Sequence, residues 1–237
     1  MGRAYEVRKA SIQKTGAVKA KLYSMYAKEI YAAAKTGGTD ASSNLSLKRL
    51  IDKSKKDQVP ADIIKRAIDK VNSGVDENYT KATYELFGPG GSTLLVNCLT
   101  DNMNRSVSSI RAALNKTNSK MGVSGSVAFM YDHLCILEFS GTDEEMVMET
   151  LINNDIEIID IEIDNSMITV YGNPQDLYQM KDALNLLGNI VFETEEIAYL
   201  PKETVTLSGE VFDDFNKLMS MLDDIEDVQN FYHNVKL

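Results

Sequence analysis

The chain has 237 residues, 43% hydrophobic and 25% charged, with a formal net charge of -10 at pH 7. A chain of this size is too long for one compact layer, so two or three domains are expected. No run of about 18 apolar residues can span a bilayer and the opening MGRAYEVRKASIQK lacks the apolar core of a secretory signal, so a cytoplasmic protein with no membrane partner is expected.

The charge is unevenly placed. Residues 1–81 hold 17 Lys+Arg against 9 Asp+Glu, net +8, and the remainder holds 8 against 26, net -18. Such asymmetry marks a polyanion-binding segment attached to an acidic body.

From about Ala17 to Lys35 good helix formers dominate, with Leu22, Met25, Tyr26, Ile30 and Ala33 at three- and four-residue spacing. Lys14, Lys21, Lys28 and Lys35 recur every seven residues, which places those within the helix on one positively charged face. Gly37-Gly38 ends the helix. A second helix is predicted from Asn44 to Lys56 and a third after Pro60, with Ile63, Ile64, Ala67, Ile68 and Val71 inside and Gly74 as its stop.

After NSGVDENYTK the period changes to two. ATYELFG and STLLVNCLT, joined by Gly88-Pro89-Gly90-Gly91, read as a hairpin. Asp101 or Asn102 caps a helix to about Thr117, and MGVSGS leads into a predicted strand SVAFMYD. Then come strand LCILEFS, helix TDEEMVMETLINN, strands IEIIDIEID and SMITVYG, helix PQDLYQMKDALNLLG and strand NIVFETEEIAYLP. This β-α-β-β-α-β order is that of a ferredoxin-like unit. The tail, a strand TVTLSG, a helix from Glu210 to Leu222 and a strand VQNFYHNV, is too small to fold alone and is expected to return to the sheet begun at Ala82.

The fold expected is therefore α+β in three domains: a basic three-helix domain over residues 1–79, an α+β domain over 80–132 plus 203–237, and an inserted, acidic ferredoxin-like domain over 133–202.

No catalytic site, metal site or cofactor is expected. His133 and His233 have no ligand partners at metal-binding spacing, Gly88 to Gly91 precede a strand rather than a phosphate-binding helix, and Cys98 and Cys135 lie in apolar strands. Adjacent acids such as Asp143-Glu144-Glu145 read as solvated faces. The ferredoxin-like unit lacks the basic-aromatic pattern of an RNA-binding sheet. The cations accumulate instead at Arg3, Arg8, Lys9, Lys14, Lys19, Lys21 and Lys28, with Lys53, Lys55 and Lys56 nearby. Together they can neutralise several phosphates. Tyr23 and Tyr31 are candidates for base stacking. Arg105 is a lone cation at a helix start, where it opposes the dipole, and so joins the candidate nucleic-acid contacts.

GRAYEVRKASIQKTGAVKAKLYSMYAKEIYAAAK, QVPADIIKRAIDK, YELFGPGGSTLLVNCLTDNMNRS and MGVSGSVAFMYD, in this order and spacing, resemble the YebC family over essentially the whole chain. Its members include bacterial transcriptional regulators, ribosome-associated translation factors and the mitochondrial translational activator of cytochrome c oxidase. The start is similar to the subgroup opening Gly-Arg, although Tyr5 stands where that subgroup has tryptophan and Glu6 adds a negative charge. The resemblance implies three domains, nucleic-acid binding and no catalysis. The leading expectation is a DNA-binding transcriptional regulator whose acidic domains supply homodimer or partner contacts. The alternative is a translation factor that binds ribosomal RNA on the ribosome.

Overall fold

The computed structural model of the protein describes residues 19–74, 76–188 and 190–236. Among them are seven α-helices and two four-stranded antiparallel sheets, arranged as three domains with separate cores.

The first domain holds α1 (Lys19–Gly37), α2 (Leu45–Lys56) and α3 (Ala61–Asn72). Tyr26, Ile30 and Ala34 of α1 close over Leu47, Val59, Ile64 and Ala67, so the three- and four-residue apolar spacing becomes one small core. Asn44 fixes the corner between α1 and α2. Its side-chain oxygen accepts from the Leu47 N–H at 3.1 Å, while its amide donates to the carbonyls of Ala33 at 2.9 Å and Gly38 at 2.8 Å. Asn44→Ala should remove the cap and leave two carbonyls short of a donor, costing about 2 kcal/mol in urea unfolding. A loss no larger than a bare cap, about 1 kcal/mol, would show those carbonyl bonds to be dispensable.

The second domain starts as the expected hairpin, β1 (Thr80–Phe87) and β2 (Thr93–Thr100), with Glu85 opposite Leu95. Gly90 in the turn has φ 64, and a Cβ there would stand 2.6 Å from Val211 and 2.7 Å from Leu207, so both backbone conformation and space require glycine. Helix α4 (Met103–Asn115) follows, its N-cap Asn102 accepting from the Arg105 N–H at 3.1 Å, then the short β3 (Lys120–Met121). The C-terminal α7 (Gly209–Asp223) and β8 (Val228–His233) return to this domain, giving the sheet order β3-β1-β2-β8. Helices α4 and α7 cover one face through Ile110, Leu114, Phe215, Leu218 and Leu222. The predicted strand TVTLSG is reduced to a single bridge between Val205 and Val235.

The third domain contains β4 (Tyr131–Ser140), α5 (Glu144–Asn153), β5 (Ile158–Asp164), β6 (Met167–Gly172), α6 (Leu177–Leu184) and β7 (Phe192–Pro201). The order β5-β6-β4-β7 is the ferredoxin-like topology, with Leu137, Phe139, Val170, Val147 and Met180 in the layer between sheet and helices. SVAFMYD is not a strand of its own. Ala128–Met130 form a 3-10 turn, and its last residues join LCILEFS as the single strand β4. The chain enters and leaves this domain side by side: Tyr131 lies opposite Pro201, and the Lys202 N–H donates to the Met130 carbonyl at 2.9 Å.

The loop 122–130 and the third domain cover the second face of the central sheet. Leu95, Val127 and Tyr131 pack together there, and the Tyr131 hydroxyl donates to the Thr93 carbonyl at 2.7 Å. Glu85 holds this loop, its buried carboxylate accepting the backbone N–H groups of Gly125, Val127 and Ala128. Gly122 brings the loop onto β1, where its N–H donates to the Glu85 carbonyl at 2.7 Å and a Cβ would meet Ser126 Oγ at 2.4 Å. No helix among the described residues is long and apolar enough to cross a membrane.

Candidate nucleic-acid interface

The basic residues fall into three physical situations. Lys19 is exposed at the start of α1, and Lys48 and Lys55 are exposed on α2, seven residues apart on one face. Among the described residues, no carboxylate lies within 4.0 Å of these three lysines. Lys53 is also exposed. The half-buried Glu29 of α1, whose carboxyl burial pushes up, feels the opposing pull of Lys53, Lys81 and Arg49.

The seven-residue stripe behaves differently. Lys21 Nζ lies 3.2 Å from Asp223 at the end of α7, Lys28 Nζ 2.8 Å from Glu226 in the turn before β8, and Lys35 Nζ 2.5 Å from Asp76 beyond α3. Lysines expected to form a solvent-facing stripe are thus engaged with carboxylates, the first two across the boundary with the second domain. Lys56 also crosses a boundary, 3.6 Å from Glu195 and 3.5 Å from the Phe192 carbonyl of the third domain. Arg3, Arg8, Lys9 and Lys14 lie outside the described residues.

Arg105 is the third situation and corrects the expectation of a lone cation. Its guanidinium binds Asp227 through Nε at 3.1 Å and Nη2 at 2.7 Å, and Asp101 at 2.7 Å. These bonds raise its already high pKa. Burial alone would raise the Asp227 carboxyl, but hydrogen bonds from Arg105, Ser106 and Thr100 hold it below the ordinary value. The unfavourable dipole position is compensated inside the protein.

Neither tyrosine is a free stacking surface. Tyr31 is buried edge-on to Tyr79, with ring centroids 6.0 Å apart, and Tyr23 packs on the core of the first domain. Lys48, seven residues before Lys55, shares its helix face.

The remaining chemistry is structural. His133 stacks on Tyr199 with centroids 4.2 Å apart, while buried His233 accepts at Nδ1 from the Val235 N–H at 3.3 Å. Burial pushes the Cys98 thiol up to about 12 and Cys135 up to about 11, so both stay protonated at neutral pH. The sheet face of the third domain away from its helices carries Glu138, Asp160, Glu162, Asp164 and Glu196, the opposite charge to an RNA-binding sheet.

A basic three-helix domain, joined by ion pairs to two acidic α+β domains, defines a charge-polarised three-domain protein. Residues 3–74 match the model of the TACO1/YebC protein N-terminal domain and residues 79–235 that of the TACO1/YebC second and third domain, so the chain belongs to the TACO1/YebC family. It is 46% identical over 238 residues to a probable transcriptional regulatory protein of Vibrio parahaemolyticus, and 47% identical over 238 residues to one of Alcanivorax borkumensis, covering 100% of both chains in each case. The crystal structure of a conserved hypothetical protein from Aquifex aeolicus has the same fold, with TM-score 0.75, 29% identity and coverage of 94% of each chain.

Proposed function

We propose that the protein is a transcriptional regulatory protein that binds DNA through its basic helical domain, with residues 1–79 as the binding domain and the acidic domains as partner-facing body. The observation that carries this reading is the exposed face of α2 on which Lys48 and Lys55 stand, neither with a carboxylate within 4.0 Å among the described residues. Lys19 and the preceding Arg3, Arg8, Lys9 and Lys14 extend the positive charge along the chain. Such cations hold phosphates, displace counterions and give affinity that falls steeply with salt. The names of the relatives in Vibrio and Alcanivorax support a regulatory role.

Lys48→Glu with Lys55→Glu should weaken binding of a labelled DNA duplex by at least about thirtyfold at low salt and flatten its salt dependence, read by fluorescence anisotropy. Unaltered affinity would overturn the reading. Phosphate contacts carry no base information, so the same face also fits ribosomal RNA. Cosedimentation with ribosomes that survives nuclease trimming would favour that target over DNA.

A further inference from the structure

We infer that the acidic turn between α7 and β8 is an intramolecular competitor for nucleic acid, occupying Lys21 and Lys28 until a polyanion displaces it. The inference rests on the proposed phosphate-binding role of the first domain and concerns how that role is regulated.

Asp223 closes α7 and Glu226 follows in the turn, within the run Asp223-Asp224-Ile225-Glu226-Asp227. Carboxylates at a helix C-terminus are unfavourable to that helix, because its unsatisfied carbonyls already make the end negative. Asp227 is occupied by Arg105, but Asp223 and Glu226 point to another domain, reaching lysines 202 and 198 residues away in sequence. Their partners belong to the lysine stripe of seven-residue period on α1. Lys28 retains only 14% side-chain exposure while Glu226 retains 76%, so the lysine is covered and the carboxylate stands at the solvent edge. A phosphate approaching α1 would meet Glu226 where it needs an ammonium group.

Further polar contacts join the first domain to the other two. Lys56 reaches Glu195 and the Phe192 carbonyl, Tyr178 donates its hydroxyl to the Leu45 carbonyl at 3.1 Å, and Glu29 lies among cations of α2 and β1. Solvent-edge ion pairs are individually weak and are screened by salt, and polar domain interfaces permit relative motion. A nucleic acid presents a continuous row of phosphates, so it can outcompete two isolated carboxylates once the α2 lysines have anchored it. Docked, the protein offers the outer lysines; undocked, it adds Lys21 and Lys28 to the contact.

The test uses the full chain with Asp223→Asn and Glu226→Gln, near-isosteric changes at exposed or half-exposed positions that leave the cores untouched. Thermal melts verify folding, and binding is measured on a short fluorescein-labelled DNA duplex and an RNA hairpin across a salt series. The double variant should bind about tenfold tighter at low salt, and its log-log salt slope should steepen by about 1.8, the share of two further neutralised phosphates. In the Glu226→Gln background, Lys28→Gln should erase most of the gain in affinity. Unchanged or weaker binding by the double variant, with Lys48→Glu/Lys55→Glu still defective, would overturn the competitor while leaving the phosphate-binding face intact. Full binding by Lys48→Glu/Lys55→Glu would instead overturn the underlying face, and the competitor with it.

Discussion

Glu85→Ala is expected to destabilise the protein by about 3 kcal/mol, because it strips the acceptor from three backbone donors at once, the buried Val127 N–H among them. Glu85 is 8% exposed, and its carboxylate receives the N–H groups of Gly125, Val127 and Ala128. Water cannot easily replace it beneath a loop that also packs Val127 against Leu95 and Tyr131. Urea unfolding at neutral pH measures the loss; a change under about 1 kcal/mol would mean that the loop finds other acceptors. Glu85→Gln should be nearly as damaging, since one amide oxygen cannot serve both sides of the carboxylate and the NH2 group faces donors.

The same site predicts acid sensitivity. Burial would raise the Glu85 carboxyl, but the three backbone donors outweigh it and hold the folded value below the ordinary 4.5. A depressed folded value stabilises the native state fully above the unfolded pKa, and that contribution disappears as pH falls through the depressed value. Asp227, held below 3.8, acts in the same direction. Stability should therefore be level at neutral pH and fall below about pH 4.5. Glu85→Gln should flatten part of this acid limb in a pH series of urea midpoints, and an unaltered limb would assign it to other carboxylates.

Arg105→Ala is expected to destabilise the protein more than Asp227→Asn does, although both break the same pair. The asymmetry follows from exposure: the Asp227 side chain is 3% exposed and the Arg105 side chain 50%. Removing the arginine strands a buried carboxylate with Ser106 Oγ at 2.8 Å as its nearest remaining donor, whereas removing the carboxylate leaves a guanidinium that water and Asp101 can still satisfy. Asp227→Asn should accordingly recover stability when added to Arg105→Ala. If Asp227→Asn proves the costlier single change, the pair is not governed by desolvation of the acid. Nucleic-acid affinity of folded Arg105→Ala should stay within about twofold of the parent, as a positioning role inside the second domain requires.

Much of the architecture was legible because strong local signals mark its corners. Gly37, Asn44, Pro60 and Gly74 delimit the three helices, and the alternation between helical and strand periods gives the ferredoxin-like order. SVAFMYD misled because its apolar residues look like a strand, while Glu85 draws the N–H groups of Val127 and Ala128 into a turn. Glu85 itself reads as an ordinary alternating polar position, and nothing near it in sequence announces a loop forty residues later. The lysine period identifies a helix face but not what lies opposite. Asp223 and Glu226 become visible only when the chain returns after the inserted domain. Arg105 was conspicuous for the right local reason, its clash with the helix dipole, but its compensation comes from Asp227, 122 residues away.

The neck formed by Met130 and Lys202 changes what the inserted domain means for its host. Thr93 of β2 bonds to Asn234 across 141 residues, yet the 2.9 Å bond between the stems closes about half of that excursion as a hairpin would. Seen from the central sheet, residues 131–201 amount to one wide turn, and the entropy of joining β2 to β8 depends on the gap between the stem ends rather than on the length of chain beyond them. The pendant can therefore change in length at its far loops without lengthening the closure, provided the sheet face carrying Tyr131, Leu134, Ile136, Tyr171 and Leu200 continues to pack against Tyr232.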